Sequence, residues 1–199
     1  LVGARPRDLV FVPNASTAVS AVLRSLDLAP GDELLTTDHE YGACKNALAY
    51  VAERTGARVV FARVPFPLRD PAEVVDALVA SCTPRTKLAL VDHVTSPTGL
   101  VFPIAAIVRA LRERGVETLV DGAHALGMVD VDLEAIAPAY WTSNAHKWLC
   151  APVGTAVLYV RPDLQGSVRP TTISHGAAST RTDRSRFMQE FDWPGTVDP

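Results

Sequence analysis

Short apolar runs alternate with amphipathic stretches along most of the chain. DLVFV (8–12) reads as a buried strand. STAVSAVLRSL follows it and places Ala18, Val19, Val22, Leu23 and Leu26 on one helical face. A Pro-Gly-Asp turn leads into a second strand within APGDELLTT (29–37), and a helix is expected over 42–54, stopping near Gly56. RVVFARV (58–64) is a third strand, and PAEVVDALVASC (71–82) has the apolar spacing of a helix. KLALVDHV (87–94) is apolar without alternation, as expected of a strand buried on both faces. PIAAIVRALRERG (103–115) is an amphipathic helix closed by Gly115, and ETLVDGAHALG (117–127) is a fifth strand running into a glycine-containing loop. AYWTSNAHKW (139–148) and GTAVLYV (154–160) supply two further strands. After residue 161 the pattern weakens, and 161–199 reads as a polar, arginine-rich excursion.

This alternation predicts an α/β fold, a three-layer α/β/α sandwich with a mostly parallel central sheet. Ligands of such sheets sit at the carboxyl ends of strands. The polar clusters fall there: Asn14–Thr17, Asp38–Tyr41, His93–Thr98, Asp121–His124 and Ser143–Lys147. Packing alone gives no reason for five such clusters on one edge.

Composition narrows the classes. Apolar residues make up 48% of 199 residues, enough for a sizeable core. The net charge of −3, with both signs dispersed, argues against a nucleic-acid surface or a polybasic membrane patch. No apolar run approaches a membrane span. Cys44, Cys82 and Cys150 are widely spaced and odd in number, which fits a reducing compartment and hence a cytoplasmic setting, with the three as small buried hydrophobes. Neither GxGxxG nor GxxxxGK[ST] occurs. The chain opens without a methionine and stops in WPGTVDP, within a turn-rich stretch, so a piece of a longer enzyme, truncated at both ends, is expected.

The lysines are Lys45, Lys87 and Lys147, and the other basic positions are arginine. Lys147 lies in SNAHKWLCAPVG, where charge is sparse. An arginine there stays protonated, whereas a lysine can lose its proton and attack a carbonyl carbon. Asn144 and His146 beside it are hydrogen-bond donors of the kind an oxyanion needs. Asp121 ends an apolar strand and is followed by two small residues and His124. A buried carboxylate there can keep a pyridine nitrogen protonated, and His124 can bond a ring hydroxyl. Asn14, Ser16 and Thr17 open the first helix, where backbone N–H groups and hydroxyls suit a phosphate. After the second strand, either His39 or Tyr41 can stack on a flat ring. His93 and Ser96 follow the fourth strand within reach of the same ring, and Gly195-Thr196 offers one more phosphate donor.

NASTAV, TTDHEYGA, DHVTSPTG, VDGAHALG, SNAHKW and FDWPGT resemble, in order and approximate spacing, the class V aminotransferase family of fold-type-I pyridoxal-phosphate enzymes. TTDHEYGAC, DGAHALG and AHKWLCAP are most similar to its isopenicillin N epimerase-like branch. The resemblance implies the cofactor pyridoxal 5'-phosphate, Lys147 as its Schiff-base lysine, Asp121 as partner of the ring nitrogen and His124 as partner of the ring oxygen. Ser16, Thr17, Asn144 and His146 would then hold the phosphate, with Thr196 reaching the phosphate of a neighbouring subunit in a homodimer. It also implies an amino-acid substrate deprotonated at Cα, with transamination, epimerisation or elimination as outcomes. The family's small C-terminal domain is expected to lie beyond these 199 residues. Asn144-Ala145-His146-Lys147 and Ser96 depart from the desulfurase pattern, so a cysteine desulfurase or selenocysteine lyase type of enzyme stands as the alternative, with a non-catalytic α/β scaffold as a third reading.

Overall fold

A computed structural model of the chain describes residues 1–192. Its strands are β1 (Leu9–Val12), β2 (Glu33–Thr37), β3 (Arg58–Ala62), β4 (Thr86–Asp92), β5 (Glu117–Asp121), β6 (Tyr140–Asn144) and β7 (Ala156–Val160). They form one seven-stranded sheet in the order β1-β7-β6-β5-β4-β2-β3. The β2–β3, β2–β4, β4–β5 and β5–β6 pairs are parallel, whereas β7 runs antiparallel to both β6 and β1. One reversed strand therefore interrupts an otherwise parallel sheet.

The helices are α1 (Ala15–Arg24), α2 (Gly42–Thr55), α3 (Ala72–Ser81), α4 (Ile104–Arg112), α5 (Leu133–Ile136) and α6 (Arg186–Asp192). Two apolar cores lie on opposite faces of the sheet, giving the three layers. One collects Val19 and Leu23 of α1, Leu48 and Val51 of α2, and Phe187 and Phe191 of α6. The other collects Val74 and Leu78 of α3, Ile107 and Leu111 of α4, and Leu133 of α5. Burial of each such leucine or isoleucine contributes about 1.5–3 kcal/mol. Strands β2 and β6 are buried along their whole length, which explains their unalternating sequences.

Two differences from the sequence pattern have local causes. The stretch 139–148 is a strand only to Asn144, because the N–H groups of Ala145 and His146 both turn onto the carbonyl of Thr155. The arginine-rich stretch after residue 161 contains α6, whose Phe187 and Phe191 rings pack 5.1 Å apart against the first core. No helix among the described residues is long and apolar enough to cross a membrane.

Candidate active site

The carboxyl ends of β4, β5 and β6, the β2–α2 turn and the start of α1 surround one cavity of about 190 Å³. Asn14, Ser16, Tyr41, Asp92, Ser96, Asp121, His124, Asn144, His146 and Lys147 all line it. Chain order reverses direction across the sheet between β2 and β4, the kind of switch point at which such sheets open a crevice.

One end of the cavity is the N-terminus of α1. Asn14 caps the helix, its Oδ1 accepting from the Thr17 N–H at 2.8 Å and the Thr17 hydroxyl at 3.0 Å. Asn144 closes the same turn from β6, its Oδ1 accepting from the Ala15 N–H at 2.8 Å. That bond occupies the Asn144 carbonyl and leaves its amide N–H groups for the cavity. Ser16 lines the cavity, but Thr17 does not, since its hydroxyl is turned back to Asn14. His146 lies 2.9 Å through Nδ1 from the Thr155 carbonyl, which places a proton on Nδ1 and leaves Nε2 for a ligand. A helix N-terminus flanked by a hydroxyl and an amide is a donor set for an oxyanion, to which His146 adds an Nε2–H only when its ring carries both protons.

The cavity floor is acidic. Asp121 and Asp92 close adjacent parallel strands in register. The Asp121 carboxylate accepts from the Ala123 N–H at 2.8 Å and from the Cys44 thiol at 3.1 Å. Glu40 lies behind it, accepting from the Tyr41 N–H at 3.0 Å and bonded to the Thr36 hydroxyl at 3.2 Å. Burial, followed by the Asp121 charge, pushes Glu40 up to about 8. Burial, followed by Glu40 and then Asp121, pushes Asp92 up to about 10. Burial also pushes the Cys44 thiol well up, so it remains an S–H donor. The Oδ2 atom of Asp92 is buried without a partner and belongs to the cavity wall, which marks a place for a ligand's polar group.

The opposite side carries the amine. Lys147 follows β6, with its Nζ 3.2 Å from His124 Nε2 and 6.0 Å from the Tyr41 ring centroid. His124 receives the Trp148 indole N–H at Nδ1, 3.0 Å away. Burial and then the Lys147 charge lower the His124 pKa. The loop carrying His124 is locked in place by close backbone approaches. A Cβ on Gly122 would lie 2.7 Å from the Trp141 indole nitrogen, and one on Gly127, at φ +86°, would lie 2.6 Å from the Trp148 carbonyl.

The sequence-based candidates thus divide. Lys147, Asp121, His124, Ser16, Tyr41, Ser96, Asn144 and His146 converge on one cavity. His39 does not join them: it is buried, with Nδ1 2.9 Å from the Thr98 hydroxyl and Nε2 3.1 Å from the Val64 carbonyl. Of the two rings after β2, Tyr41 is the one at the cavity. His93 is likewise off the cavity, and burial lowers it to about 4. Thr196 lies outside the described residues. Of the three cysteines only Cys44 is fully buried, and Cys150 is exposed. Sequence reasoning missed Asp92, Glu40 and Cys44 as parts of the site. A signal for Asp92 was present, because LVD closes both LALVDH and ETLVDG.

The family model described as Aminotransferase class-V matches residues 1–193. Isopenicillin N epimerase of Amycolatopsis lactamdurans is 40% identical over 99% of this chain and 52% of its own length. A probable chloroplastic L-cysteine desulfhydrase of Arabidopsis thaliana is 34% identical over 100% of this chain and 44% of its own length. Among solved structures, a lysine-to-alanine mutant of C-DES with glycine covalently linked to its PLP cofactor superposes with a TM-score of 0.84. It is 29% identical and matches over 95% of this chain and 51% of that one. The chain thus spans about half the length of these relatives.

Proposed function

Since this chain belongs to the class-V aminotransferase family, we propose that its cavity holds pyridoxal 5'-phosphate and that the whole protein acts on an amino acid by removing its Cα proton. The observation that carries the proposal is the meeting of the Lys147 amine and the Asp121 carboxylate on one cavity, with the α1 N-terminus at its end. Bound there, the cofactor supplies an aldehyde and an electron-accepting pyridinium ring.

The residues present fit that group. Ser16, Asn144 and the first N–H groups of α1 would hold the phosphate, joined by His146 in its doubly protonated form, a role in which Thr17 acts only through the cap it forms with Asn14. Asp121 accepts the hydrogen bond of the protonated ring nitrogen. Its Cys44 and Ala123 partners fix its orientation. Tyr41 covers a face of the ring, and His124 donates to the ring oxygen. Lys147 Nζ is the nucleophile toward the aldehyde and the base that moves the Cα proton. Asp92, unpartnered at Oδ2, offers its carboxyl proton to the ligand.

Similarity to epimerases and to desulfhydrases supports two outcomes, reprotonation at Cα or loss of a sulfur substituent. We further place the protein in the cytoplasm as a homodimer, a reading supported for the compartment by its unpaired thiols. In the intact protein, borohydride with pyridoxal phosphate should fix the cofactor to Lys147 and to nothing in Lys147→Ala. Fixation at another lysine would overturn the assignment. Parallel assays for racemisation, keto acid and sulfide then separate the outcomes.

A further inference from the structure

Trp148 is half exposed, and its indole N–H is not left to water but spent on His124. An indole N–H is a donor with no acceptor capacity. The 3.0 Å contact therefore requires a lone pair on His124 Nδ1. A neutral imidazole carries one proton, so that proton sits on Nε2, the nitrogen 3.2 Å from the Lys147 amine. A protonated ring would set N–H against N–H at Nδ1. Lys147 and Asp121 are the charged groups acting on the ring, the first opposing and the second favouring its protonation, and burial outweighs both.

We propose that Trp148 is a positioning residue: by donating to Nδ1 it holds His124 in the tautomer with its proton on Nε2, so that His124 is a hydrogen-bond donor into the cavity. The hydrogen bonds then run in one direction, from Trp148 through His124 to an acceptor. With ligand bound that acceptor is an anionic oxygen placed beside the lysine; in the empty cavity the Lys147 amine fills the place only in its uncharged form, since an ammonium has no lone pair. The inference deepens the proposed function and rests on it for the identity of that oxygen as the cofactor's ring oxygen. The backbone supports the arrangement, because Gly127 in the His124 loop lies so close to the Trp148 carbonyl that a Cβ there would come to 2.6 Å from it. The opposite tautomer would face a ring oxygen with a lone pair, and the site would lose a bond where negative charge accumulates.

The test uses the intact protein with nitrogen-15 histidine, His124 being assigned by comparison with His124→Gln, at a pH above the ordinary imidazole value of 6.5. The wild type with pyridoxal phosphate bound, and Lys147→Ala without it, should each show His124 protonated at Nε2 alone. Trp148→Phe should show a mixture of tautomers and bind the cofactor roughly three- to tenfold more weakly, the effect of losing one oriented hydrogen bond. Should Trp148→Phe fail to fold, benzothienylalanine at this position keeps the bicyclic shape and lacks the N–H, and the same shift is expected. A single Nε2-protonated tautomer persisting in these variants, or an Nδ1-protonated wild type, overturns the inference. Cofactor binding with an indifferent tautomer sinks only the role of Trp148. No cofactor binding by the wild type sinks the proposed function, while the tautomer result still decides the role of Trp148.

Discussion

The floor and the rim of the cavity handle charge in opposite ways. On the floor, Asp121, Asp92, Glu40 and Cys44 are all buried and close together, and Asp92, Glu40 and Cys44 keep the charge of the region low by holding their protons. On the rim, Lys147, His124 and Trp148 are partly exposed and form a directed run of hydrogen bonds. The floor is a fixed environment and the rim is where a proton can move. A site that removes a proton from carbon needs both, because a stationary countercharge keeps its energy only where water is excluded, whereas a base must exchange with solvent between turnovers.

Substitutions can break this contrast in graded steps. The largest effect is expected from Asp121→Ala, which removes the proposed partner of the ring nitrogen and should cost about 10²–10³ in turnover of the intact protein, by analogy with loss of one preorganised electrostatic partner. Steady-state kinetics checks it, and a loss under tenfold would mean that Asp121 is not the ring partner. Next is Gly127→Ala, which forces a Cβ to 2.6 Å from the Trp148 carbonyl at φ +86°. It should destabilise the fold by about 1–3 kcal/mol, read by urea unfolding.

A smaller effect separates floor from rim by pH. Glu40 is raised from 4.5 to about 8 and Asp92 from 3.8 to about 10. A carboxyl group that stays protonated in the fold but ionises in the unfolded chain makes the unfolded state bind fewer protons. Its contribution to stability is complete below the unfolded value and declines as pH rises toward the folded one. Unfolding free energy should therefore fall from about pH 4.5 to about 8 on account of Glu40 and Asp92 together, and on to about 10 on account of Asp92 alone. Glu40→Gln keeps the neutral form and should roughly halve the slope of the first part of that decline, leaving the share of Asp92. An unchanged slope would show that Glu40 is ionised in the fold. The smallest effect concerns thiol chemistry: Cys150 should react with a thiol reagent in the native protein, and Cys44 only on unfolding.

The rim was more legible in the sequence than the floor. Lys147 and His124 lie in two short segments whose residue types announce chemistry, whereas Trp148 beside the lysine carried no assigned role, and Asp121 ends an obvious strand. The floor depends on burial and distant pairing. Cys44 and Asp121 are 77 positions apart, and only the packing of α2 against the sheet turns an ordinary cysteine into the partner of a carboxylate. The choice between His39 and Tyr41 could not be made from the chain, because a tight turn separates inward from outward by single residues. Parallel strands were readable from their unbroken apolar runs. The reversal of β7 was not, since an apolar strand has the same composition in either direction. Helix α6 was hidden because its two phenylalanines sit among arginines and polar residues.

That reversal has a practical corollary. Because β6 and β7 form an antiparallel hairpin, the peptide bearing Lys147 spans the gap between two hydrogen-bonded neighbours and is clipped to the Thr155 carbonyl and, through Ala151, to Ala145. Directed evolution aimed at a new substrate would do best to leave this hairpin untouched and to randomise Ser96, which borders the same cavity from a separate loop and can change shape without shifting Lys147.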